Sequence, residues 1–154
     1  MTSGSSNTDI LDLKYDIVRL GRGKYGFGGF MDFKVDFYDD VKIGGTIERS
    51  KYRAGPYSMF PMSIQNESFS SVMSKYYKHI LQPVLEKCCD NAPIVKDKFE
   101  APLTKRYVSL NNCALTTDNL PNVIMEGYYR LRVTFSGPLN AYVETLSLVE
   151  TKIF

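Results

Sequence analysis

Between residues 25 and 37 every second position is apolar or glycine: Tyr25, Phe27, Gly29, Met31, Phe33, Val35 and Phe37, with Asp32, Lys34 and Asp36 among the residues between them. A two-residue period belongs to a strand, whose successive side chains point to opposite faces. The run therefore puts Phe, Met and Val on one surface and charge on the other. At roughly 3.3 Å per residue it would reach about 40 Å, twice the usual span, which predicts one long strand over 24–38 that curves. Gly26, Gly28 and Gly29 supply places to bend.

The same alternation precedes and follows it. Leu11, Leu13, Tyr15 and Ile17 interleave with Asp12, Lys14 and Asp16, predicting a strand that runs to about Arg19 and turns through Gly21-Arg22-Gly23. Val41, Ile43, Gly45 and Ile47 predict a third strand, so the three read as a meander of two consecutive hairpins. Past Asn91-Ala92-Pro93, strands are predicted at 104–115, at 127–135, where Tyr129, Leu131, Val133 and Phe135 alternate with Arg130, Arg132 and Thr134, and at 140–152. In the last of these the alternation slips near Leu146, which predicts a bulge.

From Asn66 the period changes. Phe69, Val72, Met73, Tyr76, Ile80, Leu81, Val84 and Leu85 recur at three- and four-residue spacings behind a capping residue, Asn66 or Ser68. This predicts one amphipathic helix of about twenty residues, kinked or divided near Gln82 by Pro83. Strands on both sides of a single helix, with no βαβ alternation, predict a mainly β fold: an antiparallel sandwich or cup with the helix along one side. The eight residues Met1-Thr-Ser-Gly-Ser-Ser-Asn-Thr are small and polar, so 1–9 reads as a flexible segment and 10–154 as one domain.

Composition narrows the function. A net charge of +2 with interspersed signs offers no footprint for nucleic acid. No window approaches eighteen apolar residues, so no transmembrane helix is expected. Gly21-Arg22-Gly23-Lys24-Tyr25-Gly26 matches the glycine pattern of a phosphate-binding loop, but a strand follows where a dinucleotide site needs a helix. A kinase would also need H-R-D and D-F-G elements, and Asp32-Phe33 is followed by Lys34. The single histidine, His79, stands on the polar side of the helix with no nucleophile motif beside it, so no enzyme activity is expected. One His and three Cys fall short of a metal site, and neither metal nor cofactor is expected.

The cysteines are Cys88, Cys89 and Cys113. In a cytosolic chain they would be small buried residues. In a secreted one, a bridge from the helix end to the next strand would close a loop of about 25 residues, worth roughly 3 kcal/mol on the chain-entropy model, and one thiol would be left over. Asn66-Glu67-Ser68 is an N-glycosylation acceptor. Together these favour an extracellular protein, with the cytoplasm as the alternative because the chain carries no leader at its start.

Several pieces, in order, resemble an insect family of secreted proteins, the CheB chemosensory proteins, which are similar to the ganglioside activator protein and to the ML lipid-recognition domains. They are Tyr15-Asp16 through Gly21-Arg22-Gly23 into the long strand, and Tyr57 to Met62 with the helix bearing Tyr76-Tyr77. They continue with Cys89-Asp90-Asn91-Ala92-Pro93, Asn112-Cys113, Leu120-Pro121 and Glu126-Gly127-Tyr128-Tyr129-Arg130. The resemblance implies a β-cup around an apolar cavity that takes up acyl chains, secretion, and a role in chemosensation or pheromone response. It also implies a Cys89–Cys113 disulfide with Cys88 as the extra thiol.

The residues point to the same kind of cavity. Its expected lining is Tyr15, Ile17, Phe27, Met31, Phe33, Val35, Phe37, Met59, Phe60, Met62, Phe69, Met73, Leu131, Val133 and Phe135, with the methionines as an adaptable mouth. Burying a sixteen-carbon tail would gain about 12 kcal/mol gross, against association costs on the order of 4–15 kcal/mol. The expected partner is a lipid or cuticular hydrocarbon, with a membrane receptor or channel as a candidate protein partner. The same side chains simply filling a core, in a protein-interaction module, is the competing expectation, alongside an activator that presents lipid to a separate hydrolase.

Overall fold

Two antiparallel sheets face each other in the computed structural model, which describes residues 2–22, 24–114 and 125–149. The strands are β1 (Thr2–Ser5), β2 (Leu11–Gly21), β3 (Lys24–Phe33), β4 (Lys42–Ser50), β5 (Ser58–Ser68), β6 (Cys89–Asp90), β7 (Arg106–Ala114), β8 (Gly127–Ser136) and β9 (Ala141–Val149). One sheet has the order β1-β9-β8-β4-β5 and the other β2-β3-β7-β6. The mainly β, antiparallel architecture with one helix is the one the periodicities predict.

Four expectations are corrected. The first is the flexible N-terminus: Thr2–Ser5 is an edge strand paired with β9. Small polar side chains hide it from a hydrophobic pattern, yet the Ser3 hydroxyl accepts from the Tyr15 amide at 3.0 Å and donates to its carbonyl at 3.2 Å. These two bonds stitch β1 of the first sheet to β2 of the second. The second correction is the long strand, which ends at Phe33 with the Lys34 amide donating to the Ile10 carbonyl. Phe37 then turns inward and exchanges both backbone hydrogen bonds with Leu103, each 2.9 Å.

The third follows from that turn. The chain changes sheets after Phe37, so β4 pairs with β5 and β8 while β3 pairs with β2 and β7, and the meander stops after its first hairpin. The fourth is the bulge near Leu146: β8 and β9 pair without a break from Gly127↔Val149 to Phe135↔Ala141. Among the glycines expected to let the strand bend, Gly28 marks a register shift, between Phe27 and Gly29 where β3 meets β7.

The helix α1 comprises Phe69–Val72, Met73–Leu81 and Gln82–Leu85. Ser68 caps it, its hydroxyl accepting from the Ser71 amide at 3.3 Å, and the Asp39 carboxylate accepts from the Ser70 amide at 2.9 Å. The middle segment is wound as a π-helix, in which the Gln82 amide donates to the carbonyl of Tyr77, five residues back. This wide turn carries the inward face from Phe69, Met73 and Tyr77 to Gln82 and Leu85, and leaves Ile80 and Leu81 exposed. Gln82 faces the following loop, exchanging two hydrogen bonds with the Val95 backbone. Pro83 sits in the first turn of the last segment, where it lacks no needed donor.

β5 runs directly into α1 and α1 leads to β6, so the helix closes the side opposite the β1–β2 seam. At the bottom of the sandwich Phe37 is fully buried among Phe33, Phe69 and Phe135, with ring centroids 5.4–5.6 Å away. No helix among the described residues is long and apolar enough to cross a membrane.

Candidate functional site

On β2 and β8 the inward-facing residues lose burial steadily toward one end of the sandwich, whereas on β7 Val108, Leu110 and Cys113 stay buried throughout. On β2, Leu11 is 3% exposed, Leu13 is buried, Tyr15 is half-buried and Ile17 is 42% exposed. On β8, Phe135 is 9% exposed, Val133 half-buried and Leu131 43% exposed. The two gradients run the same way, because Phe37 touches Phe33 and Phe135 at the packed end while Tyr15 bonds through its hydroxyl to Thr145, the ladder partner of Leu131.

Tyr15 therefore spans from one sheet to the other at the border between a packed half and an uncovered half. Its ring lies edge-on to Phe27, centroids 6.4 Å apart. Beyond it the inner faces present Ile17 from one sheet and Ile47, Phe60, Tyr129 and Leu131 from the other. Ile47 pairs with Leu131 in the ladder, and the rings of Phe60 and Tyr129 are 5.7 Å apart. Thr145 and Ser147 add hydroxyls to the same inner surface, Ser147 being the ladder partner of Tyr129.

The structure distributes the expected lining over three environments. Phe37, Phe69, Met73 and Phe135 are packed in the core, and Phe27, Met31, Phe33, Val35, Val133 and Tyr15 pack half-buried against it. Ile17, Leu131 and Phe60 belong to the uncovered end. Met59 is corrected: it is in register with Glu48, which is in register with Arg130, so it points to the outer face and is 60% exposed. The side chain of Met62 lies outside the described residues, as do Gly23 and the expected Leu120-Pro121 match. Ile47, Tyr129, Thr145 and Ser147 were not expected, although the signal was present. The slip in alternation near Leu146 marks the point where hydroxyls turn inward and Leu146 and Leu148 turn outward.

The outer face of the larger sheet carries a different arrangement. A groove of about 710 Å³ runs along it, with Arg130 stacked 4.2 Å over Tyr57 and Arg132 4.4 Å over Tyr142. Both guanidiniums are already bonded to carboxylates, Arg130 to Glu48 and Arg132 to Glu144. These two charges are thus neutralised, and Arg53 lines the same groove. His79 is exposed on α1, and the Asn66 acceptor is exposed near the end of β5 with a φ of 43°.

The disulfide joins Cys88 to Cys113, correcting the Cys89–Cys113 pairing. Cys88 lies in the turn after α1 with its Cα 5.3 Å from that of Cys113, within bridging range, whereas Cys89 has entered β6 opposite Leu110. Cys89 keeps a free, half-buried thiol, and the sulfurs of all three cysteines lie within 4.8 Å of one another.

Burial pushes the Tyr15 phenol above its ordinary value of 10.0, and pushes Tyr77, whose hydroxyl donates to the Pro93 carbonyl at 2.6 Å, far higher. A group that holds its proton more tightly when folded contributes stability that is complete below the unfolded pKa and is lost as pH rises through the folded one. Urea midpoints are therefore expected to hold up to about pH 10 and fall above it. The fall should be shallower in Tyr77→Phe; an identical alkaline slope in that variant would contradict the assignment.

Compared with models of protein families the chain matches none, and no curated protein matches it.

Proposed function

We propose that this chain is a secreted, non-catalytic binding protein that takes the hydrophobic tail of a lipid, glycolipid or pheromone-like hydrocarbon between its two sheets, in a chemosensory setting. The observation that carries the reading is the paired burial gradient: Ile17 and Leu131, inner-face residues, are left 42% and 43% exposed at the same end. A soluble chain gains by burying such side chains, and an inserted tail covers them while the packed half stays intact. Ser147, opposite Tyr129 and nearer the uncovered end, offers a hydroxyl to the more polar part of an amphipathic ligand. The disulfide and the exposed Asn66 acceptor suit an extracellular compartment.

Delipidated protein is expected to take up a fluorescent long-chain fatty acid saturably. Ile17→Asp and Leu131→Asp should each weaken uptake by at least about tenfold, since a charge would have to be buried beside the tail. Both sites are exposed in the free protein, so thermal stability should change little. No saturable uptake of fatty acids, glycolipids or cuticular hydrocarbons would sink the reading. A protein-interaction module is the second reading, favoured by the packed lower half and the outer Arg/Tyr groove; substitutions at Tyr57 and Tyr142 would then matter and those at Ile17 would not.

A further inference from the structure

Cys89 is placed unusually for a leftover thiol. Its sulfur is 3.9 Å from the Cys88 sulfur and 3.9 Å from the Cys113 sulfur, so it flanks both ends of an existing disulfide. Cys113 is fully buried, which shields it from thiols in solution and leaves Cys89 as the nucleophile beside it. We infer that the disulfide is mobile between two positions, Cys88–Cys113 and Cys89–Cys113, by internal thiol–disulfide exchange.

The step balances without any outside reagent. The Cys89 thiol gives up its proton, and its sulfur attacks the Cys113 sulfur. The Cys89–Cys113 bond forms as Cys88–Cys113 breaks, and the released electron pair stays on the Cys88 sulfur, which takes up a proton. One disulfide and one thiol are present before and after. Attack on the Cys88 sulfur instead leads nowhere, because adjacent Cα atoms are about 3.8 Å apart, below the roughly 4.4 Å that a bridge requires. Holding the reactants in one site replaces an encounter between molecules by an internal step; the Cys89 sulfur, equally far from both sulfurs at 3.9 Å, lies beside the S–S bond and has to swing towards the bond axis on the Cys113 side before it attacks.

The two linkages hold different parts of the chain. Cys88 belongs to the turn that ends α1 and Cys89 to β6, so exchange moves the tether on β7 by one residue, about 3.8 Å of chain. It resets where the end of the side-closing helix is held, whatever the sandwich binds. The groups around Cys89 set its pace. Burial and Asp90 raise the thiol's pKa, Tyr77 faces it from α1, and Glu86 and Arg106 act on Tyr77 from the helix end and from β7. Exchange is accordingly slow near neutrality and quickens as pH rises.

The test is to incubate the oxidised protein over a range of pH, quench in acid, unfold it, and alkylate the single free thiol before it can exchange. Fragmentation of the peptide holding Cys88 and Cys89 then reads which of the two carries the label. The expected result is label on both, approached at a rate that rises roughly tenfold per pH unit until Cys89 titrates. Label on Cys89 alone at every pH and time would overturn the inference. A Cys88→Ser variant gives a second reading: oxidised and folded, it is expected to contain a Cys89–Cys113 bond and no free thiol, and two free thiols in a natively folded variant would overturn it equally.

Discussion

Phe37→Ala is expected to lower the free energy of unfolding by about 3–5 kcal/mol, the range for removing a buried aromatic and leaving its cavity behind. The size of the effect follows from position. Phe37 has no exposed surface and meets three other rings, Phe33 and Phe69 among them and Phe135 from the facing sheet, so neighbours held by three separate elements cannot all collapse into the space. Against a typical total of about 5–15 kcal/mol, the loss is a large share. Urea denaturation followed by circular dichroism measures it. The result also separates two pictures of the sandwich: a side chain lining an empty cup would be deleted at small cost, and a change under about 1 kcal/mol would show that the lower half is hollow. Ile17→Ala, at the uncovered end, provides the contrast and should cost little.

Gly29→Ala should be almost as damaging, more than about 3 kcal/mol, for a reason in the backbone. Gly29 has φ 146°, a region open to glycine and closed to other residues. A Cβ there would overlap the Lys14 carbonyl oxygen and come within 2.8 Å of the Tyr15 Cα, both on the adjacent strand. Neither obstacle is a side chain that can swing away. Strand β2 would have to move, and with it Tyr15, the residue that reaches across to Thr145. Thermal melting of Gly29→Ala beside Gly28→Ala is the check, because a Cβ at Gly28 meets only ordinary contacts of 3.5 Å or more. Equal melting temperatures would show that the β3 backbone relaxes easily.

Much of this architecture was legible in residue order, and the failures have physical causes. β2, β3, β7, β8 and β9 each bury one face, so their alternation is visible. β1 is held by backbone pairing and one serine, which leaves no hydrophobic trace. β5 was missed because Pro61 and two register shifts interrupt it, both tolerated at an edge. The helix and its cap at Ser68 could be read, and Pro83 falls within one continuous helix instead of dividing it; the π-wound middle could not be read, since a 3.6-residue template places Ile80 and Leu81 inward where the wider turn rotates them out. The candidate site was half visible: Ile17 and Leu131 followed from alternation and Phe60 from the apolar cluster it forms with Met59 and Met62, while Thr145 and Ser147 were disguised as a bulge. No pattern of spacing distinguishes Cys88 from Cys89, because adjacent residues have nearly the same reach.

The irregularity of β5 bears on how the molecule behaves in a crowd of its own copies. It is the outermost strand of the larger sheet at the end away from β1, and a straight, regular strand there would offer a ladder of unused backbone groups to a neighbour. Pro61 carries no backbone N–H, the shifts beside Gly45 and Glu48 throw the pairing with β4 out of step, and Asn66 bends the last residues with a positive φ. A second chain trying to add on by strand pairing at β5 finds no continuous template along that edge.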